Sequence, residues 1–120
     1  MKAIILYISI SVYALVVAAQ APGPKRYNFA HYTEESGLNS YQVNATVQDD
    51  DGYIWIATNE GLQRYDGLRY KSFGHVHNDS TSIPSKSILQ LLIDKNKNLW
   101  ILTREGKVGI FNTKKFTFNE

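Results

Sequence analysis

The sequence predicts an all-β fold of two four-stranded antiparallel units behind an apolar leader. Three observations carry that expectation: an internal repeat, the strand and turn chemistry inside each copy, and an uncharged N-terminal run. Laid 45 positions apart, Val43 falls on Ile88, Asp49 on Asp94, Ile54 on Leu99, Trp55 on Trp100, Ile56 on Ile101, Thr58 on Thr103 and Gly61 on Gly106. A period in the forties made of short strands and turns is that of a β-propeller blade. A helical solenoid would need long 3.6-periodic runs, which are absent. Two blades do not close a ring, so the expected fold is an incomplete propeller.

From the N-terminus, Met1-Lys2 precedes a charge-free run from Ala3 to Ala19 rich in Ile, Leu, Val and Ala. A positive end, an apolar middle and small exit residues have the form of a secretory signal peptide, expected over 1–19 with cleavage after Ala19. The competing exit after Ala21 would leave Pro22 directly behind the cut, and an uncleaved anchor is the alternative because an uncharged, largely apolar run of 17 residues lies at the lower limit for spanning. Residues 20–26 are a linker. Residues 27–40 are expected to hold a lone strand, Tyr27 to Tyr32, that closes the last blade of a ring, followed by a crossing loop from Thr33 to Ser40.

The first blade is expected over 41–74, with strands Val43 to Gln48, Tyr53 to Thr58, Leu62 to Tyr65 and Arg69 to Phe73. Asp51-Gly52 and Asp66-Gly67 are hairpin dipeptides, since Gly tolerates positive φ and Asp hydrogen-bonds its own turn. Tyr53, Trp55 and Ala57 alternate with Ile54, Ile56 and Thr58, and apolar groups on both faces imply a strand sandwiched between neighbouring sheets. The residues expected to define the repeat are Asp49, Gly52, Trp55, Thr58, Gly61 and Tyr65, with Asp94, Trp100, Thr103 and Gly106 in the second copy. Both tryptophans are expected as wedges between sheets, sugar stacking being the alternative. Residues 75–86 form an inter-blade loop. The second blade, 87–120, is expected to place strands at Ser87 to Ile93, Leu99 to Thr103, Lys107 to Phe111 and Lys115 to Phe118.

Composition sets limits. Without residues 1–19, which include Lys2, the formal charge falls from +2 to +1, so there is no electrostatic footprint for nucleic acid. Cysteine is absent, and packing alone must hold the chain together.

Asp49-Asp50-Asp51 has carboxylate density suited to calcium, but a tight turn and a second copy that keeps only Asp94 favour a structural role. His75 and His77 could form a zinc pair, but no third ligand lies nearby, and solvation in a loop is expected. No cofactor, metal site or catalytic set is expected, and no opposed carboxylate pair of the glycosidase kind can be identified. Function in propellers concentrates on loops around the rim. The candidate ligand-binding residues, expected on one rim, are therefore Asn59, Glu60, Arg64, His75, His77 and Arg104, with Glu105 beside them.

The run Asp49-x-x-Gly52-Tyr53-Ile54-Trp55-Ile56-Ala57-Thr58-x-x-Gly61-Leu62-x-Arg64-Tyr65-Asp66-Gly67 resembles the two-component regulator propeller repeat. Phe29-x-x-Tyr32-Thr33-x-x-x-Gly37-Leu38 is similar to the opening of such sensors. Ala57 and Leu102 stand where the repeat has Gly, Lys97 replaces the turn Gly, and the segment from Gly106 to Asn112 is one residue longer than its counterpart. The resemblance implies the exported sensor of a hybrid histidine kinase of the kind common in Bacteroidetes. Its implied partners are further propeller blades of a parent chain and a small solute or oligosaccharide. It further implies contact with the membrane only through that parent and a dimer of it. Kinase motifs are absent from this segment, so no catalysis is expected in it. The Asn44-Ala45-Thr46 and Asn78-Asp79-Ser80 sequons are not taken as acceptors, because the resemblance points to bacteria.

Overall fold

The computed structural model describes residues 23–120. The leader over 1–19, its exit at Ala19 and the first residues of the linker lie outside the described residues. Residues 23–30 carry no secondary structure, and His31–Glu120 form a separate compact unit that holds both sheets.

The first sheet runs β1 (Val43–Gln48), β2 (Ile54–Thr58), β3 (Gly61–Tyr65) and β4 (Tyr70–Phe73). The second runs β5 (Ile88–Ile93), β6 (Leu99–Thr103), β7 (Val108–Asn112) and β8 (Thr117–Asn119). Each is an open antiparallel meander with neighbours in chain order. Two incomplete-propeller blades are thus what the chain folds into. Both first pairings carry a register shift at the same place, between Val43 and Ala45 and between Ile88 and Gln90, so even the irregularity repeats. β1 lies beside β5, which brings the first strands of the two sheets together.

Three expectations change. Tyr27 to Tyr32 forms no strand. Local alternation makes a segment competent for pairing, but a strand is held by its ladder, and both sheets here already have their four strands. The third strand of the second blade begins at Val108, because the extra residue in that turn moves the pairing along, setting Leu102 opposite Val108 where Ala57 faces Leu62. The crossing loop is structured: Glu34–Ser36 is a 3₁₀ turn in which Thr33 and Ser36 bond reciprocally, and it ends at Gly37 with φ 108°.

The core lies between the sheets. Trp55, Ala57 and Leu62 of the first sheet meet Leu99, Ile101, Phe111 and Phe118 of the second, with Ile83 from the connection filling in. Trp55 is fully buried, edge-on to Phe111 at 5.8 Å between centroids and tilted against Phe73 at 5.9 Å. Burying 150–250 Å² of indole at about 25 cal/mol per Å² stabilises the pair of blades by roughly 4–6 kcal/mol as an upper bound. Trp100 faces away from the first blade and is only half-buried. It is therefore no wedge between these two sheets: with Leu102 it lies on the outer face of β6, on the side that no described sheet covers, while Leu99 and Ile101 point into the core.

The repeated aspartates explain the turns. Asp49 Oδ2 accepts the indole N–H of Trp55 at 2.7 Å, and Asp94 Oδ2 accepts that of Trp100 at 2.9 Å. The other carboxylate oxygen takes a backbone N–H, from Tyr53 at 2.9 Å in the first copy and from Asn98 at 2.9 Å in the second. One carboxylate thus closes the turn and satisfies the only polar atom of the packed ring. In the second turn Lys97 takes the positive φ of the expected Gly, at 66°.

Candidate functional site

On the rim where β2 turns into β3 and β6 into β7, side chains join the two blades. Asn59 Oδ1 accepts from Asn44 Nδ2 at 3.0 Å, from Ser87 Oγ at 3.0 Å and from Arg104 Nη2 at 3.3 Å, while its amide donates to Gln42 Oε1 at 2.6 Å. Arg104 Nε donates to Ser87 Oγ at 3.1 Å, and its backbone N–H donates to the Ser87 carbonyl at 2.9 Å. Asn44 Nδ2 also reaches the Ile88 carbonyl at 2.7 Å, a direction set by the strand irregularity that re-aims its side chain. Arg104 itself is exposed, so the guanidinium is held along one edge and offers its remaining N–H groups to water.

Of the candidates, the structure brings together Asn59 and Arg104, with Glu60 exposed beside Asn59 and its carbonyl accepting from Asn39 Nδ2 at 3.3 Å. Glu105 adjoins Arg104, its carboxyl held below the ordinary value chiefly by the Ser85 hydroxyl. The single-rim expectation fails for Arg64. Three residues of extended strand beyond the Gly61 turn carry it about 10 Å toward the opposite rim. There its guanidinium lies 4.2 Å from the centroid of Tyr53 and 5.4 Å from that of Phe116. His75 lies in the inter-blade connection with Nδ1 3.2 Å from the Ile83 carbonyl, and His77 is exposed two residues on. Neither histidine is among the groups that bond to Asn59 or Arg104. Among the described residues no three His, Asp or Glu side chains gather to hold a metal.

Gln42, Asn44 and Ser87 are the members that sequence reasoning missed. A signal for them existed: the 45-residue offset that pairs Asn59 with Arg104 also pairs Gln42 with Ser87, so four of the five members are two repeat pairs. The sugar-stacking alternative is closed for Trp55, whose ring is wholly covered and whose N–H is bonded to Asp49.

Residues 37–60 and 82–105 match the two-component regulator propeller family. The two matched segments are offset by the same 45 residues and start ahead of β1 and β5. Over 55 residues, 46% of this chain, the sequence is 36% identical to a protein of Formosa agariphila described as histidine kinase P4, of which it covers 4%. The fold superposes with a TM-score of 0.67 and 26% identity on a crystal structure described as the extracellular domain of the hybrid two-component system BT3049 from B. thetaiotaomicron. That match covers 75% of this chain and 13% of the other. The chain thus spans a small fraction of the length of either relative.

Proposed function

We propose that this chain, in which residues 37–60 and 82–105 match the two-component regulator propeller family, is part of the exported, non-catalytic sensor of a hybrid two-component receptor, and that it takes a small solute such as a carbohydrate fragment. The apolar leader and the extracellular place of the B. thetaiotaomicron relative support export. The observation that carries the solute reading is the Asn59–Arg104 junction. It ties neighbouring blades by side-chain hydrogen bonds at the surface, where a polyhydroxylated or carboxylated ligand could compete for the same donors and acceptors. A ligand that takes over those bonds acts on the angle between sheets, which is what a receptor needs in order to register occupancy.

The test is glycan-array binding followed by calorimetry with neutral and uronate-containing oligosaccharides, on the wild type and on Arg104→Ala and Asn59→Ala. Losing charge-assisted hydrogen bonds is expected to weaken binding by about tenfold or more in Arg104→Ala with the melting curve retained. Absence of binding to any member of the array, or wild-type affinity in both variants, would overturn the reading.

A further inference from the structure

The turn that presents Asn59 is braced from ahead of its own sheet. Asn39 belongs to the segment leading into β1, and both polar atoms of its side chain reach the turn between β2 and β3. Its Oδ1 accepts from the Thr58 hydroxyl at 3.0 Å and its Nδ2 donates to the Glu60 carbonyl at 3.3 Å, so one amide grips the residues on either side of Asn59. The Thr58 side chain is fully buried, accepts the Glu60 N–H at 3.1 Å and lies 3.0 Å from the Gly61 carbonyl. Residues 58–61 therefore close on that bracket.

Asn39 is itself held. Gln63 of β3 is 1% exposed, an uncommon place for a side-chain amide, and all its polar groups are used. Its Oε1 accepts the Asn39 backbone N–H at 2.9 Å, while its Nε2 donates to the Gly37 carbonyl at 3.1 Å and to the Ser72 hydroxyl at 2.9 Å. A fully satisfied buried amide rigidifies what it touches, here the backbone on both sides of Leu38. The second blade has no such bracket. Pro84 stands 45 positions beyond Asn39, and Gly109 pairs with Ile101 as Gln63 pairs with Ile56. Its turn is tied by Arg104 to Ser87 instead. A device present in one copy and missing from the other is not demanded by the fold of the repeat, and the copy that has it is the one that supplies Asn59.

We propose that Asn39 is a positioning residue for the inter-blade junction: carried by Gln63, it holds the turn over 58–61 so that Asn59 Oδ1 faces Asn44, Ser87 and Arg104 across the blades. Asn39 bonds to none of the side chains that bond to Asn59, so its effect runs through the turn. The leading segment thereby regulates the site. A shift of residues 37–39 changes how Asn59 is offered, and by linkage a solute that draws Asn59 away loosens the same segment. This inference rests on the reading of the junction as the solute site.

The experiment is nitrogen-15 relaxation of the Asn59 side-chain amide and of Arg104 Nε in the full chain with no solute present, for the wild type, Asn39→Ala, Asn39→Asp and Asp66→Ala. A cooperative melt confirms that each folds. In Asn39→Ala the order parameter at Asn59 is expected to fall from about 0.8 to below about 0.6, and Arg104 Nε, in the other blade, to loosen with it as its guanidinium loses a fixed acceptor. Asn39→Asp keeps the acceptor for the Thr58 hydroxyl but not the donor to Glu60; it is expected to fall between, and it serves if the alanine variant does not fold. Asp66→Ala is the control. It removes the acceptor of the Leu68 and Arg69 N–H groups in the turn at the other end of β3, and is expected to leave Asn59 and Arg104 as in the wild type. Wild-type order at either Asn59 or Arg104 in the folded Asn39 variants overturns the proposal, as does equal loosening in Asp66→Ala. Because no solute is present, failure of glycan binding bears on the solute reading alone.

Discussion

At the scale of single residues, the two aspartates that open the turns hold the indoles. Because Trp55 is enclosed and Trp100 is not, the same substitution has unequal consequences. Trp55→Ala is expected to cost about 3–5 kcal/mol in urea unfolding, and Trp100→Ala clearly less. Equal losses would mean that the outward face is covered in solution. The Trp100 and Asn98 hydrogen bonds draw the Asp94 carboxyl from its ordinary 3.8 down to about 2. A depressed acid favours the folded state when ionised, so its contribution is complete above its ordinary value and is lost as pH falls through about 2. The urea midpoint should therefore decline between pH 4 and pH 2, and Asp94→Asn should make that decline shallower while lowering the midpoint at neutral pH.

At the scale of elements, strands and turns were legible because their chemistry is local. Alternation around Trp55 and the Asp-Gly pairs located seven of the eight strands to within a residue, and the eighth, β8, to within two. What local chemistry does not supply is a mate, which is why Tyr27 to Tyr32 looked like a strand and is not one here. Nor does it fix which end of a strand a residue occupies in space, and Arg64, close to the Gly61 turn in sequence, lies instead beside Tyr53 and Phe116. Gly61 shows how equivalent positions differ in context: at φ 127° an added Cβ would stand 2.5 Å from the Phe73 carbonyl oxygen, while Gly106, at φ 83°, has open space around it. Gly61→Ala should cost about 2–4 kcal/mol and Gly106→Ala about 1–2 kcal/mol by chemical denaturation, the first adding a backbone clash to the left-handed strain common to both. The Lys97–Asp50 ion pair at 2.8 Å bridges the turns of the two blades, but both side chains are largely exposed. Asp50→Asn should change the unfolding free energy by less than about 1 kcal/mol, and less again in high salt.

At the scale of the whole molecule, the repeat made the architecture legible but concealed part of the site. Asn59 and Arg104 are legible as turn residues, yet their joining depends on how one blade leans on the next, which no single copy encodes. The same offset carried further information in the plugs ahead of the strands. Leu38 and Ile83 are buried repeat partners, as are Ser40 and Ser85, whose hydroxyls accept the backbone N–H two residues on at 3.1 and 3.2 Å. Each sheet is thus seated by residues that precede its first strand. That placement dictates where such a gene can be cut and respliced. A module exchanged between relatives would travel intact only if its borders fell before Gly37 and Ser82; a crossover at Val43 or Ile88 would separate a sheet from its own stopper and leave the recipient with a hole.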